Sequence, residues 1–270
     1  MLVSALLATH TALPAAEPAQ PGPEERLLAN TRQLIFEGLR SGEGYFSADG
    51  TKMIFQSERA ADNPFYQIFL MNLETGDTRR VSTGTGKTTC GWIHPSGERV
   101  LFASTHEDPE ALKKQEEELA KRAEGKGSRY SWSFDEHYEI YEADSSGSIL
   151  RKLTDVRGYD AEGSWSPDGS RIVYASNRHA YAAELSEDEA KVLKNDQSRF
   201  MDVYIMDEDG GNVRRLTDTP GYDGGPFFNA DGSRIVWRRF DEKGVVAEIW
   251  TMNPDGSDQR QITRMGVMSW

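Results

Sequence analysis

The stretch WSPDGSRIVYAS, Trp165 to Ser176, decides how the rest of the chain is read. Pro167, Asp168 and Gly169 make a tight turn, because positive φ is cheap for Asp and Gly. The residues that follow, Ile172, Val173 and Tyr174, suit a pleated and largely buried surface. The combination occurs four times: FSADGTKMIFQS with Asp49-Gly50, IHPSGERVLFAS with Ser96-Gly97, the opening stretch, and FNADGSRIVWRR with Asp231-Gly232. After each comes a second strand-plus-turn segment: QIFLMNLETG, EIYEADSSG, DVYIMDEDGG and EIWTMNPDG. Each of these leads to a basic-then-apolar segment, TRRVS, LRKLT, VRRLT and QRQIT, which reads as a strand with one wet face.

The spacing is rigid. From the strand-end residues Asn72, Asp144 and Asp207 to the next turn residues Ser96, Asp168 and Asp231 the distance is 24 residues every time. From the turn glycine forward to the strand-end residue it is 22 (Gly50 to Asn72), 47 (Gly97 to Asp144), 38 (Gly169 to Asp207) and 21 (Gly232 to Asn253). All the variation sits between the second and third strands of each unit. A four-stranded unit of ~45 residues with fixed spacing elsewhere is the signature of a propeller blade, which buries its faces only by stacking on its neighbours.

The pattern SPDGxxIxFxS followed by xIYxMDxDGxxxRxLT resembles the TolB-type β-propeller repeat, over Arg32 to Trp270, and the third unit matches it almost throughout. The resemblance implies an all-β fold of four-stranded antiparallel blades, six to a ring. Adding 24 to Asn253 puts the next turn residue at 277, seven positions past Trp270. Four complete blades are therefore expected, at about 42–83, 88–155, 160–218 and 223–264, with the start of a fifth from 265. TRQLIF, Thr31 to Phe36, reads as the outermost strand of a further blade, the arrangement by which TolB-like rings close. Fold specificity does not carry over to function, since propellers host many unrelated roles. Trp92, Trp165 and Phe227 or Phe228, just before the turns, read as inter-blade packing rather than ligand platforms.

The 270 residues carry a formal charge of -13 and 37% apolar residues. That balance supports a proper core and argues against nucleic acid or an anionic membrane as partner, because both reward Lys and Arg clusters. The lone cysteine, Cys90, excludes an internal disulfide and reads as a buried structural thiol. Residues 1–25 read as an export signal followed by a linker. An apolar run from Leu2 to Ala8 precedes small residues around Ala12, Ala15 and Ala16, although no Lys or Arg stands before it. No later stretch has the ~20 apolar residues of a membrane span, so a periplasmic or secreted chain is expected.

The extra length of the second and third units reads as two inserts on one face, over 108–127 and 179–199. In the first, Asp108 is expected to cap and Pro109 to open a solvated helix, with four-residue pairs Glu110–Lys114, Glu117–Lys121 and Glu118–Arg122. In the second, Ser186 and Glu189 form a capping box. The connections GYDAEG and GYDGGP place Asp160 and Asp223 at the mouth of the central channel beside these inserts. Their carboxylates either cap backbone amides or meet a ligand. Arg178 and Arg239 are placed to pair with them, and His106 and His179 stand at the insert roots; these six are the candidate binding residues.

Catalytic constellations are missing. The sequence has no GxSxG elbow, no HExxH, no CxxC and no phosphate-cradling glycine loop, so neither cofactor nor metal is expected. The leading expectation is an exported scaffold, similar to TolB, that docks a protein or peptide of the cell envelope on its insert-bearing face. The alternative is the accessory propeller of a hydrolase of the serine or zinc aminopeptidase type, since similar repeats precede such domains. Polysaccharide lyase activity is disfavoured, because a charge of -13 opposes an acidic polymer.

Overall fold

The computed structural model describes residues 27–126 and 132–269, so the expected export signal and linker over 1–25, and Gly127 at the end of the first insert, lie outside it. The chain divides into two units, Met1–Phe36 and Glu37–Trp270. Residues 27–36 of the first are turn and coil. Thr31–Phe36 does not form the expected strand. A strand is held by ladder bonds to a neighbour, and the hydrogen bond described there is local, from Gln33 Nε2 to the Ile35 carbonyl at 2.6 Å.

Among the described residues, the second unit carries sixteen strands in four antiparallel sheets, arranged as a propeller. The first blade is β1 (Arg40–Phe46), β2 (Lys52–Glu58), β3 (Gln67–Asn72) and β4 (Thr78–Arg80). The second is β5 (Thr88–Ile93), β6 (Arg99–Ser104), β7 (Glu139–Asp144) and β8 (Ile149–Lys152). The third is β9 (Asp160–Trp165), β10 (Arg171–Ser176), β11 (Asp202–Asp207) and β12 (Arg214–Arg215). The fourth is β13 (Asp223–Phe228), β14 (Ile235–Phe240), β15 (Ala247–Met252) and β16 (Arg260–Gln261). Within each sheet the strands lie in sequence order.

The recurring turn joins the first and second strands of every blade. Gly169 N donates to the Ser166 carbonyl at 2.9 Å, and Gly169 takes φ 75°, a conformation that penalises any Cβ. Asp168 Oδ1 accepts the Ser166 hydroxyl at 2.5 Å and the Ser170 amide at 3.0 Å, and Asp49 repeats this with Ser47 and Thr51. Those donors, the serine hydroxyl foremost, hold both carboxyls down at about 2.

The Ser or Thr that ends each basic-then-apolar segment has an equally local explanation. Thr217 Oγ1 accepts the Val203 amide at 2.9 Å and donates to Asp202 at 3.0 Å, stitching the end of the fourth strand to the start of the third. Ser82, Thr154 and Thr263 do the same with Gln67, Glu139 and Glu248, each pair fifteen residues apart.

Apolar side chains collect between blades. Ile54, Ile68 and Leu70 of blade one pack on Ile93, Val100 and Phe102 of blade two. Leu101 and Ile140 of blade two meet Trp165, Ile172 and Tyr174 of blade three, and Val173, Val203 and Ile205 of blade three meet Ile235, Trp237 and Met252 of blade four. Strand residues pointing both ways are thus buried, which is why these segments read as continuous apolar runs. A backbone bond repeats at each junction: Thr88 N to Tyr66 O (3.1 Å), Asp160 N to Tyr138 O (3.1 Å) and Asp223 N to Met201 O (2.9 Å). Ser269 N reaches Ala247 O at 2.8 Å with the same 22-residue offset, taking the place where an innermost strand begins.

Candidate functional site

Every innermost strand breaks its ladder at the same point. The register shifts between Gly42 and Tyr45, Thr89 and Trp92, Ala161 and Ser164, and Gly224 and Phe227. The residues inside these bulges, Glu43, Cys90, Glu162 and Gly225, take φ of 47°, 54°, 59° and 59°. Each stands six positions before its turn residue, Asp49, Ser96, Asp168 or Asp231. Left-handed backbone is costly for a side chain other than Gly, and a bulge re-aims the residue it carries. The glycine after the bulge serves packing: a Cβ on Gly91 would lie 2.9 Å from Ile54 and Ile68 of blade one, and one on Gly163 would lie 3.0 Å from Leu101 of blade two.

The bulges point Glu43, Cys90 and Glu162 into a cavity of about 960 Å³ that innermost strands of all four blades line. One pleat nearer the turns, Tyr45, Trp92 and Phe227 touch one another, with ring centroids 4.8, 5.3 and 5.8 Å apart. Trp132 and Phe134 from the end of the blade-two insert, and Asp196, Ser198 and Arg199 from that of blade three, line the same cavity. Both inserts therefore open onto one face, as the strand topology requires.

Glu162 is firmly held. It accepts the Tyr222 hydroxyl at 2.6 Å and the Gly225 amide at 2.5 Å. The Arg238 guanidinium lies where a side chain at position 225 would stand, 3.0 Å from that virtual Cβ. Glu43 accepts the Cys90 thiol at 3.5 Å. Burial, then the nearby Glu162 charge, push the Glu43 carboxyl up to about 7, while Cys90 and Arg238 pull the other way. Burial and the two carboxylates also push the Cys90 thiol up, which keeps it protonated and inert.

The six sequence-predicted residues lie elsewhere. Asp160 and Asp223 sit beneath the mouth, 0% and 1% exposed, and neither lines the cavity. They pair with Arg178 and Arg239: Arg178 Nε reaches Asp160 Oδ1 at 3.2 Å, and Arg239 reaches Asp223 at 2.8 and 2.7 Å. Arg239 lies on β14 opposite Asp223, but Arg178 has left its strand and opens a short helix that the sequence did not predict, α2 (Arg178–Ala182). His106 packs against Tyr141 with centroids 4.3 Å apart and the rings tilted by 51°. His179 sits 3.4 Å from Asp202, and burial followed by the Arg215 charge pull it down to about 4. Trp165 packs between blades as expected, at 3% exposure, and Phe228 packs against the cluster of blades three and four. Trp92 packs against the cluster of blades two and three and also lines the channel, whereas Phe227, one position before Phe228, faces the channel.

The first insert also departs from expectation. α2 precedes α3 (Glu187–Asn195) in blade three, and the blade-two helix α1 (Ala111–Ala123) is more than a solvated rod. Its Gln115 is buried and accepts the Gly86 amide at 2.6 Å. Arg122 reaches Glu58 of blade one at 2.5 Å and the Pro64 carbonyl at 2.9 Å. The helix starts after a turn in which Asp108 accepts the Glu110 amide at 2.9 Å, so Pro109 lies outside it. Glu118 pairs with Arg122 as expected, but Lys114 turns to Asp108 and Asp135 and leaves Glu110 to Lys113. The Ser186–Glu189 capping box of α3 is present.

Among the described residues, no group of three or more His, Cys, Asp and Glu side chains is placed to hold a metal ion, and no helix is long and apolar enough to cross a membrane. No protein-family model matches the chain. It is similar to the Tol-Pal system protein TolB of Bordetella pertussis, 27% identical over 147 residues covering 45% of this chain and 33% of that protein. It is also similar to the uncharacterized peptidase YuxL of Bacillus subtilis, 31% identical over 104 residues, which are 38% of this chain and 13% of that one. The chain thus matches only a minor part of these curated relatives. The solved structure of a TolB candidate from Agrobacterium tumefaciens superimposes with a TM-score of 0.56 at 22% identity, covering 86% of this chain and 64% of that one. Four repeats in fixed phase, the sheet order and these likenesses agree: the chain is a TolB-like β-propeller.

Proposed function

We propose that this propeller is a periplasmic scaffold that docks a protein or peptide partner on its insert-bearing face. The observation that carries the reading is the channel cavity, whose mouth is built from both inserts and whose inner wall is aromatic. A concave, largely apolar site with a few convergent polar groups is where a propeller receives a ligand. Aromatic anchors such as Trp132, Phe134 and Trp92 supply contact area at little entropic cost. Asp160, Asp223, Arg178 and Arg239 then act from below, fixing the starts of the innermost strands. His106 and His179 stay at the insert roots.

Panning a random 12-residue peptide library on the immobilised chain tests this. Enriched peptides should lose binding to Trp132→Ala and Trp92→Ala variants and keep it against Ser257→Ala on the turn joining β15 and β16. Absence of enrichment, or peptides indifferent to both tryptophans, overturns the reading.

The likeness to YuxL favours a second reading, in which the propeller is the accessory domain of a hydrolase. It requires an in-frame catalytic motif downstream of the codon for Trp270, and sequencing the locus decides that.

A further inference from the structure

The bulge side chains and the walls around them have the chemistry of a receptor for an organic cation. Glu43 and Glu162 occupy equivalent positions on β1 and β9, so their carboxylates enter the channel at one depth. Arg238 is a cation beside them, which leaves one negative charge among the three groups once both carboxyls are ionised. Below them, the contiguous rings of Tyr45, Trp92 and Phe227 offer faces and edges to whatever descends from the mouth.

The geometry points to a cation subsite in the channel: a lysine or arginine side chain of the partner enters from the insert-bearing mouth past Trp132 and Phe134 and places its charge between Glu43 and Glu162, with the rings of Tyr45, Trp92 and Phe227 as the floor beneath it. This rests on the reading of that face as a docking site. Carboxylates supply the long-range attraction, and aromatic faces add a cation–π contribution to a desolvated charge. A bare metal ion fits less well, since no three-ligand cluster is present among the described residues and a space of about 960 Å³ far exceeds an ion.

The electrostatics agree with the geometry. Tyr45 on the same strand, Tyr66 before β3, Cys90 from β5, Glu162 from β9 and Arg238 from β14 surround Glu43. Even with Arg238 present, the Glu43 carboxyl is held up at about 7, so near neutrality a proton occupies the place a ligand cation would take. Binding expels that proton, and affinity therefore rises as pH climbs through about 7 and levels off above it.

The test is an NMR titration of the whole chain with acetyl-Ala-Lys-Ala-amide and its arginine counterpart. The norleucine analogue, equal in length and uncharged, is the control, and the indole N–H of Trp92 is the reporter. The basic peptides should shift it saturably, with affinity roughly tenfold above the norleucine peptide. Glu43→Gln and Glu162→Gln should each remove most of that advantage, and Glu43→Gln should also flatten its pH dependence between about pH 6 and pH 8. Glutamine at 162 still accepts the Gly225 amide, and circular dichroism checks both variants for folding. Equal binding of the norleucine peptide, indifference to both substitutions, or no shift from either basic peptide overturns the cation subsite. The first of these leaves the docking reading standing, and that reading fails separately if library panning yields nothing.

Discussion

Blades three and four are written in nearly the same letters, WSPDGSRIVYAS and FNADGSRIVWRR, yet their second strands live in different surroundings. On β10 five of six residues are buried: Ile172 and Tyr174 face blade two while Val173 faces blade four. On β14 Ile235 and Trp237 are buried against blade three, but Val236 and Arg238, pointing the other way, are only half-buried. The repeat thus encodes two apolar faces whether or not both are covered. Burial belongs to the interface between blades and not to the blade, the nearest-neighbour behaviour of stacked repeats.

The largest expected effect tests that difference directly. Trp165→Ala removes a ring enclosed between blades two and three and should cost about 3 to 5 kcal/mol. Trp250→Ala removes an equally large ring that is half-buried on β15 and should cost about half as much. Urea denaturation of both variants measures this, and equal losses would break the comparison. A smaller contrast lies in the hydroxyl stitch. Thr217→Val strands the buried Val203 amide and should cost about 1 to 3 kcal/mol. Thr263→Val frees the Ile249 amide near water and should cost less than about 1 kcal/mol.

The carboxyls that take part in this stitch behave oppositely with pH in the two blades. Burial pushes Asp202 up to about 7 despite Arg215 and Thr217, whereas Thr263 and then the Gly266 amide pull Glu248 below its ordinary value of 4.5. Between about 3.8 and 7 the folded chain holds a proton on Asp202 that the unfolded chain lacks. Stability from this group is therefore complete at acid pH and is lost as pH rises through about 7. Glu248 works in reverse: its contribution is complete above 4.5 and is lost as pH falls through its lowered folded value. Carbon-detected NMR titration of the two carboxyls should give midpoints on opposite sides of 4.5, and coinciding midpoints would show that coverage does not separate the blades.

What the sequence revealed and what it hid follow from how local each interaction is. The turn at Asp168 and the strand at Ile172 rest on bonds within five residues, so their letters announce them. The channel is different. Its bulge position holds Glu, Cys, Glu and Gly in turn, so residue type carries no repeat, and only the constant six-residue offset from the turn marks it. Asp160 and Asp223 drew attention because their letters do repeat, and they repeat because each anchors a strand start against an arginine. The docking of α1 was hidden because Gln115 and Arg122 find partners twenty-nine and sixty-four residues away, which no local pattern records.

The smallest expected effect concerns the connection between the second and third strands, where the two blades differ most in length. Blade four closes it with a tight turn in which Asp241 accepts the Val245 and Val246 amides at 2.8 and 3.0 Å. Blade three sends out α3, which has no buried residue and depends for its start on the Ser186 capping box. Ser186→Ala removes the acceptor for the Glu189 amide and should cost about 0.5 to 1 kcal/mol. Because α3 buries nothing, that cost should appear as local fraying and not as lower global stability. Hydrogen exchange should therefore quicken over Glu187–Asn195 while the urea midpoint stays in place. A shifted midpoint would mean that α3 shares in the cooperative fold, so that blade three is stabilised by its insert as well as by its neighbours.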